Sequence, residues 1–152
     1  MPAVATQSPP RLVYVVLVCG GRNYTNTTRI FYVLDGILAW VRAQSYLIGG
    51  MRLVHGAARG ADMCADLWAE RCGVQTAQHH ADWDGLGKRD GPIRNGQMLV
   101  MEKPDLVVAF PGDKGTADMT AQALSSGVPV MQITEHGGSM LQPTKPRTTN
   151  RG

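Results

Sequence analysis

Phe110-Pro111-Gly112-Asp113-Lys114-Gly115-Thr116-Ala117-Asp118-Met119 decides how the chain folds. An apolar run, Asp105 to Phe110, leads into it and reads as a buried strand. An Ala-rich segment, Ala117 to Ser126, leaves it and reads as a helix. Two glycines around a lysine at such a junction let backbone N–H groups turn toward one point. The helix adds the positive end of its dipole there. Strand, glycine turn and helix start together make a site for phosphate or another anion.

The same grammar runs outward from this stretch. Leu12 to Cys19 is a continuous valine-rich run, apolar on both faces, as a central parallel strand requires. Gly20-Gly21-Arg22 follows it. Thr25 to Thr28 offers helix caps, and Ile30, Val33, Leu34, Ile37, Leu38 and Val41 then recur at helical spacing. Phe31, Tyr32 and Trp40 fall partly off that stripe and predict a second apolar face, for a homo-oligomer contact or for partial cover by the tail. Arg52 to His55 reads as a second strand, Gly56 to Gly60 as its turn, and Ala61 to Cys72 as a helix stopped by Gly73. Val74 to His79 is a third strand. A glycine-containing polar loop, Ala81 to Gly91, precedes a helix with Pro92 in its first turn. Val128 to Ile133 is a fifth strand.

Alternation of this kind predicts a single Rossmann-like α/β domain, about five parallel strands with helices on both faces, over residues 12–134. Residues 1–11 read as a disordered lead-in. Residues 135–152 read as a flexible basic tail. A chain of 152 residues with 43% hydrophobic content suits one such core. Four of the 15 Lys and Arg residues (Arg11, Lys145, Arg147, Arg151) and one of the 12 Asp and Glu residues (Glu135) lie outside 12–134, which leaves eleven of each sign. That balance argues against a nucleic-acid coat. Cys19, Cys64 and Cys72 are odd in number, form no Cys-x-x-Cys and sit in apolar contexts. They read as buried free thiols of a reducing cytosol. The N-terminus lacks a basic leader, and Leu12 to Cys19 is too short for a membrane span. The expected location is cytoplasmic, with no membrane partner.

In an open α/β sheet, ligands bind beyond the carboxyl ends of the strands, where strand order reverses. The loops on that edge hold Arg22, Arg59, Lys88, Arg89, Arg94 and Lys114, six of the eleven cations of the folded part, together with Asp62, Asp82, Asp84, Asp90, Asp113 and Asp118. Gly20, Gly21, Gly56, Gly60, Gly112 and Gly115 all follow strands closely. Mixed charge and glycine turns suit a ligand with both phosphates and ribose hydroxyls. The chain has no Gly-x-x-x-x-Gly-Lys-Ser/Thr, no Gly-x-Gly-x-x-Gly after the first strand and no Gly-x-Ser-x-Gly. Walker-type ATP hydrolysis, dinucleotide dehydrogenation and serine hydrolysis are therefore unsupported. His79-His80 beside Asp82 and Asp84 lacks a partner pair at helical spacing, so no metal site is assigned. Magnesium is compatible only as company for a phosphate ligand, and no other cofactor is expected.

With these residues assembled, the chain resembles the YspA-type (cpYpsA-related) branch of the SLOG superfamily. The resemblance is carried by Gly20-Gly21-Arg22-Asn23-Tyr24, His55-Gly56-Ala57-Ala58-Arg59-Gly60-Ala61-Asp62, Ala81-Asp82-Trp83, Gly87-Lys88, Gly91-Pro92-Ile93-Arg94-Asn95 with Met98, and the opening stretch. It implies a site for nucleotides or nucleotide-derived ligands, in bacteria or their phages, and thus the host cytoplasm for a phage protein. Relatives include phosphoribohydrolases that activate cytokinins, sensors of ADP-ribose type and a DNA-processing protein. The phosphoribohydrolases resemble this chain through Pro-Gly-Gly-x-Gly-Thr but end the motif with a glutamate where this chain has Met119, and here Asp113 replaces the second glycine.

Three functions follow. In the first, a sensor or sequestering protein binds an ADP-ribose-like ligand. Pro111, Gly112, Lys114, Gly115 and Thr116 cradle a phosphate. Arg22 and Arg59 reach a second phosphate or the ribose, with Gly20, Gly21, Gly56, Gly60, Asp62 and Lys88 around them. Arg94 and Asn95 complete the rim, and Trp83 stacks on a base. In the second, a nucleotide N-glycosidase uses Asp118, Asp82 or Asp62 as the carboxylate that an oxocarbenium-like sugar requires, with Arg94 on the phosphate. The third, single-stranded nucleic-acid binding, is disfavoured by neutral charge and by nine aromatics (Trp 3, Tyr 4, Phe 2).

Overall fold

The computed structural model describes residues 12–80 and 90–143. Its elements run β1 (Val13–Cys19), α1 (Thr27–Ala43), β2 (Gly50–His55), α2 (Ala61–Cys72), β3 (Gln75–Gln78), α3 (Asp90–Glu102), β4 (Leu106–Ala109), α4 (Lys114–Ser125), β5 (Val130–Thr134) and β6 (Gly137–Leu141). They form a six-stranded sheet in the order β3-β2-β1-β4-β5-β6. The first five strands are parallel, and β6 runs antiparallel to β5. The order reverses between β1 and β4, so the first and fourth strands frame the switch point.

The unbroken apolar runs are explained by two cores. Successive strand residues point to opposite faces. Val16 and Val18 of β1, Leu53 of β2 and Leu106 and Val108 of β4 meet Ile30, Leu34 and Val41 of α1 and Ala65 and Trp68 of α2. Leu17, Val54, Val107 and Ala109 face the other way, onto Met98 of α3 and Met119 and Ala123 of α4. Trp68 is fully buried and donates its indole N–H to Asp35 of α1 at 2.8 Å, which ties the two helices of its face together. Asn26 caps α1, its side chain accepting from Arg29 N at 3.1 Å. Gly73 ends α2 in the left-handed region at φ 69°.

Three details differ from the sequence reading. The stretch read as tail contributes β6. The pairing Thr134↔Gly137 leaves only Glu135 and His136 as the loop, and that dipeptide lacks the Asn-Gly chemistry that announces a hairpin. The β5 edge supplies the ladder, and Arg29 Nη2 holds Gly137 O at 2.9 Å. Helix α4 starts at Lys114, not Ala117, because Gly115 is accepted inside its first turn. The three cysteines are free and half-buried, not fully enclosed.

Candidate functional site

The loops after β1, β2 and β4 converge with the start of α3 on a cleft of about 800 Å3 at the switch point. The β1 loop is its hinge line. Gly21 N donates to Pro111 O at 2.8 Å, and Phe110 N donates to Cys19 O at 2.9 Å, so the β1 and β4 loops are sewn together by backbone bonds. Gly21 O accepts from Ala61 N at 3.2 Å, which joins the start of α2 to the same seam. Gly20 lies where a Cβ would come within 2.5 Å of Ala61 Cβ and 3.0 Å of Phe110 Cβ. Gly60, at φ 84°, backs onto the Gly21 and Arg22 carbonyls. It is a packing glycine and does not line the cleft, although it was read as a ligand contact.

The β2–α2 turn is filled by its own side chains. Asp62 Oδ2 accepts from Gly56 N at 3.0 Å and Ala58 N at 3.2 Å. Between them Ala57, at φ 59°, donates its N–H to His55 Nδ1 at 2.9 Å. With Nδ1 accepting, the imidazole proton sits on Nε2, 2.8 Å from Asp66 Oδ1. His55 is completely buried and Asp62 is 5% exposed. Burial raises the Asp62 carboxyl above its ordinary range, against the two backbone N–H groups and the nearby His55 and Arg94. Arg94, expected on a phosphate, donates Nη1 to Gly56 O at 2.7 Å and His79 O at 3.3 Å. A side chain on Gly56 would run into that guanidinium.

The β4–α4 turn is different. Gly112 has no room for a Cβ, which would strike Thr116 Oγ1 and come within 2.7 Å of Gly21 N. Gly115 has open space on its Cβ side. Asp113 is the N-cap residue yet makes no capping hydrogen bond through its side chain. Ala117 N bonds to Asp113 O at 2.9 Å, while among the described residues the amides of Lys114, Gly115 and Thr116 meet no acceptor. Pro111, Lys114 and Thr116 line the cleft together with Gly21, Arg22 and Arg59, the last three from the β1 and β2 loops. Tyr24, which sequence reading left without a role, also lines the cleft and stacks on Phe110 with ring centroids 5.9 Å apart. Its signal was its place in the quoted Gly20–Tyr24 segment.

Asp118 lines the cleft, and its Oδ2 accepts from Asn95 Nδ2 at 2.9 Å and Gln122 Nε2 at 2.8 Å. Asn95 also donates to Gly115 O at 3.3 Å. Met119, at the glutamate position of the hydrolases, is fully buried in the α3/α4 core and does not line the cleft. Cys19 lines it, and burial pushes its thiol well up, Asp62 adding to the effect and Arg94 opposing it, which disfavours the thiolate. Asp82, Trp83 and Lys88 lie outside the described residues. Among the described residues, no three or more His, Cys, Asp or Glu side chains are grouped to hold a metal ion, and no helix is long and apolar enough to cross a membrane.

A model of the YspA, cpYpsA-related SLOG family matches residues 14–85, which include the β1 and β2 turns. The Gene 61 protein of Mycobacterium phage D29 is 35% identical over 125 residues, 78% of this chain and 94% of that protein. The chain belongs to the YspA, cpYpsA-related SLOG family. Solved structures place this SLOG chain among Rossmann-like folds. The X-ray structure of TM1055, a Northeast Structural Genomics Consortium target, superposes with a TM-score of 0.56 at 18% identity, over 77% of this chain and 72% of that one. The UDP-GlcNAc 2-epimerase of Neisseria meningitidis, solved bound to UDP-GlcNAc, gives a TM-score of 0.50 at 14% identity. The alignment covers 79% of the SLOG chain but about a third (32%) of the epimerase.

Proposed function

We propose that the cleft binds a nucleotide-derived ligand of ADP-ribose type and that the protein is a sensor or sequestering protein, not a hydrolase. One observation carries this reading. The first-turn amides of α4 are left without acceptors beside Lys114, in a turn whose Gly115 has no packing reason to be glycine. An anion seated there receives backbone N–H groups, the helix dipole and an ammonium together. Arg22 and Arg59 lie across the mouth for a second phosphate, and Tyr24 offers a ring face within the same cleft. Any magnesium enters with the phosphates, which suits its reluctance to shed water. The family's nucleotide association and the nucleotide-sugar bound by the epimerase fold accord with this reading.

Thermal or chemical denaturation with AMP, ADP and ADP-ribose tests it. A ligand at about 100 times its dissociation constant is expected to stabilise the chain by ~2.7 kcal/mol. Absence of stabilisation by every compound in that set would refute the reading.

A second reading, N-glycosidic hydrolysis, rests on Asp118 lining the cleft with its carboxylate held by two amide donors. Chromatography for free base after incubation with AMP or ADP-ribose separates the two. Base release that disappears in Asp118→Asn favours cleavage, and binding without release favours recognition.

A further inference from the structure

Helix α1 turns a second face outward. Ile30, Leu34, Ile37, Leu38 and Val41 are its buried stripe. The opposite side exposes Thr28, Tyr32, Asp35, Gly36, Ala39, Trp40, Arg42 and Ala43. A surface helix ordinarily shows charged and polar residues there. Here the charges are Asp35, whose carboxylate already receives the Trp68 indole N–H, and Arg42, both at one margin, while Tyr32, Gly36, Ala39, Trp40 and Ala43 between them and the groove are uncharged. Tyr32 is 72% exposed and Trp40 47%. The topology explains the gap beside them. The crossovers put α1 and α2 on this face and α3 and α4 on the other, so among the described residues no helix lies over the β5–β6 margin of the α1 face. A groove of about 660 Å3 results, lined below α1 by Tyr14, Leu106, Met131 and Met140.

Gly36 is the deciding residue. It stands inside a 17-residue helix, where glycine is the least favourable choice after proline. A Cβ built on it meets nothing within 4 Å, so packing within the chain does not call for glycine. Tyr32 and Trp40 lie four residues to either side, one helical turn away each. The pattern large–small–large is therefore symmetric about Gly36.

We propose that this face is the contact of a two-fold homodimer. The α1 helices of two copies cross antiparallel at Gly36, and Tyr32 of each copy packs against Trp40 and the apolar groove of the other. A two-fold contact uses the same patch twice, so the patch must carry both the projection and the recess that receives it. Here Tyr32 and Trp40 are the projections, and Gly36 with the groove is the recess. The backbone at Gly36 and Ala39 permits the close approach that a helix crossing needs. The chain's own residues 144–152, Thr-Lys-Pro-Arg-Thr-Thr-Asn-Arg-Gly, are polar and cationic and do not match an apolar groove.

Sedimentation velocity on the full chain over a concentration series tests this. The expected mass is twice 16.4 kDa. Gly36→Gln extends into open space and favours helix, so it preserves the fold. It is expected to weaken self-association by about tenfold or more while leaving the far-ultraviolet circular dichroism unchanged. Tyr32→Glu is expected to do the same. A chain that stays monomeric to its solubility limit overturns the proposal, as does a dimer indifferent to both substitutions. So does a monomer in which deleting residues 1–11 opens Trp40 to a fluorescence quencher, which would assign the groove to the chain's own lead-in.

Discussion

The β2–α2 and β4–α4 turns are built from the same parts, a parallel strand, a short glycine-bearing turn and a helix start, and they end in opposite states. In the first, His55 and Asp62 take the amides of Gly56, Ala57 and Ala58, and Arg94 takes the Gly56 carbonyl. In the second, the amides of residues 114–116 meet no acceptor among the described residues. One turn has internalised its anion as an aspartate. In the other, Asp113 makes no such bond, and on the reading proposed above the turn is left to an anion from outside.

Substitutions break this comparison in graded ways. Asp62→Ala removes the acceptor of two amides and is expected to cost about 3 kcal/mol in a denaturant titration. Asp62→Asn, which keeps one acceptor oxygen, is expected to lose less. A cost under ~0.5 kcal/mol for Asp62→Ala would mean that the first turn is not held by its aspartate. Gly60→Ala meets both a positive φ and the Gly21 and Arg22 carbonyls, and is expected to cost about 2 kcal/mol. Lys114→Ala should leave stability within about 0.5 kcal/mol yet weaken ligand binding about tenfold or more, read by calorimetric titration. Equal losses of stability and binding would erase the distinction between the turns.

Gly115→Ala is a finer probe. The added methyl enters open space in a first helical turn, so stability should hold or rise by up to about 1 kcal/mol while affinity falls. Unchanged affinity would remove Gly115 from the cradle. The smallest effect is in pH. Glu102 closes α3 against the β2–β3 side, bonded by His79 Nε2 at 2.6 Å and by Arg52. Burial alone would raise its carboxyl, but the His79 and Arg52 hydrogen bonds and charges hold it below its ordinary value of 4.5. A depressed acid contributes stability that is complete above the ordinary value and lost as pH falls through the native one. Stability measured from pH 7 downward should therefore show an acid limb that flattens in Glu102→Gln.

The fold was legible in the sequence because the valine-rich runs and the helical stripe of α1 each carry their own period, and parallel strands buried on both faces leave few alternatives. β6 was not, since Gly137-Gly138-Ser139 has little strand preference and is recruited by the β5 edge. The loops that line the cleft were legible as neighbours, and the contacts each side chain makes there were not. Nothing local distinguishes an Asp62 that holds a turn from one that faces a ribose, or an Arg94 that braces two carbonyls from one that awaits a phosphate. Those roles are set by contacts spanning 38 residues in sequence, as between Arg94 and Gly56. Met119 reads as a missing carboxylate in the motif. In the structure it is enclosed in the apolar core, so a glutamate there would bury an unpaired carboxylate.

The seam between the β1 and β4 loops has a consequence for how fast and how selectively the cleft works. Gly21 to Pro111 and Phe110 to Cys19 are backbone bonds made within the chain itself. With those bonds holding the cleft floor, a ligand of the kind proposed is expected to bind with simple bimolecular kinetics and no preceding conformational step. On the reading proposed above, selection among ligands is expected to fall to Arg22, Arg59 and Lys114, exposed side chains that line the cleft.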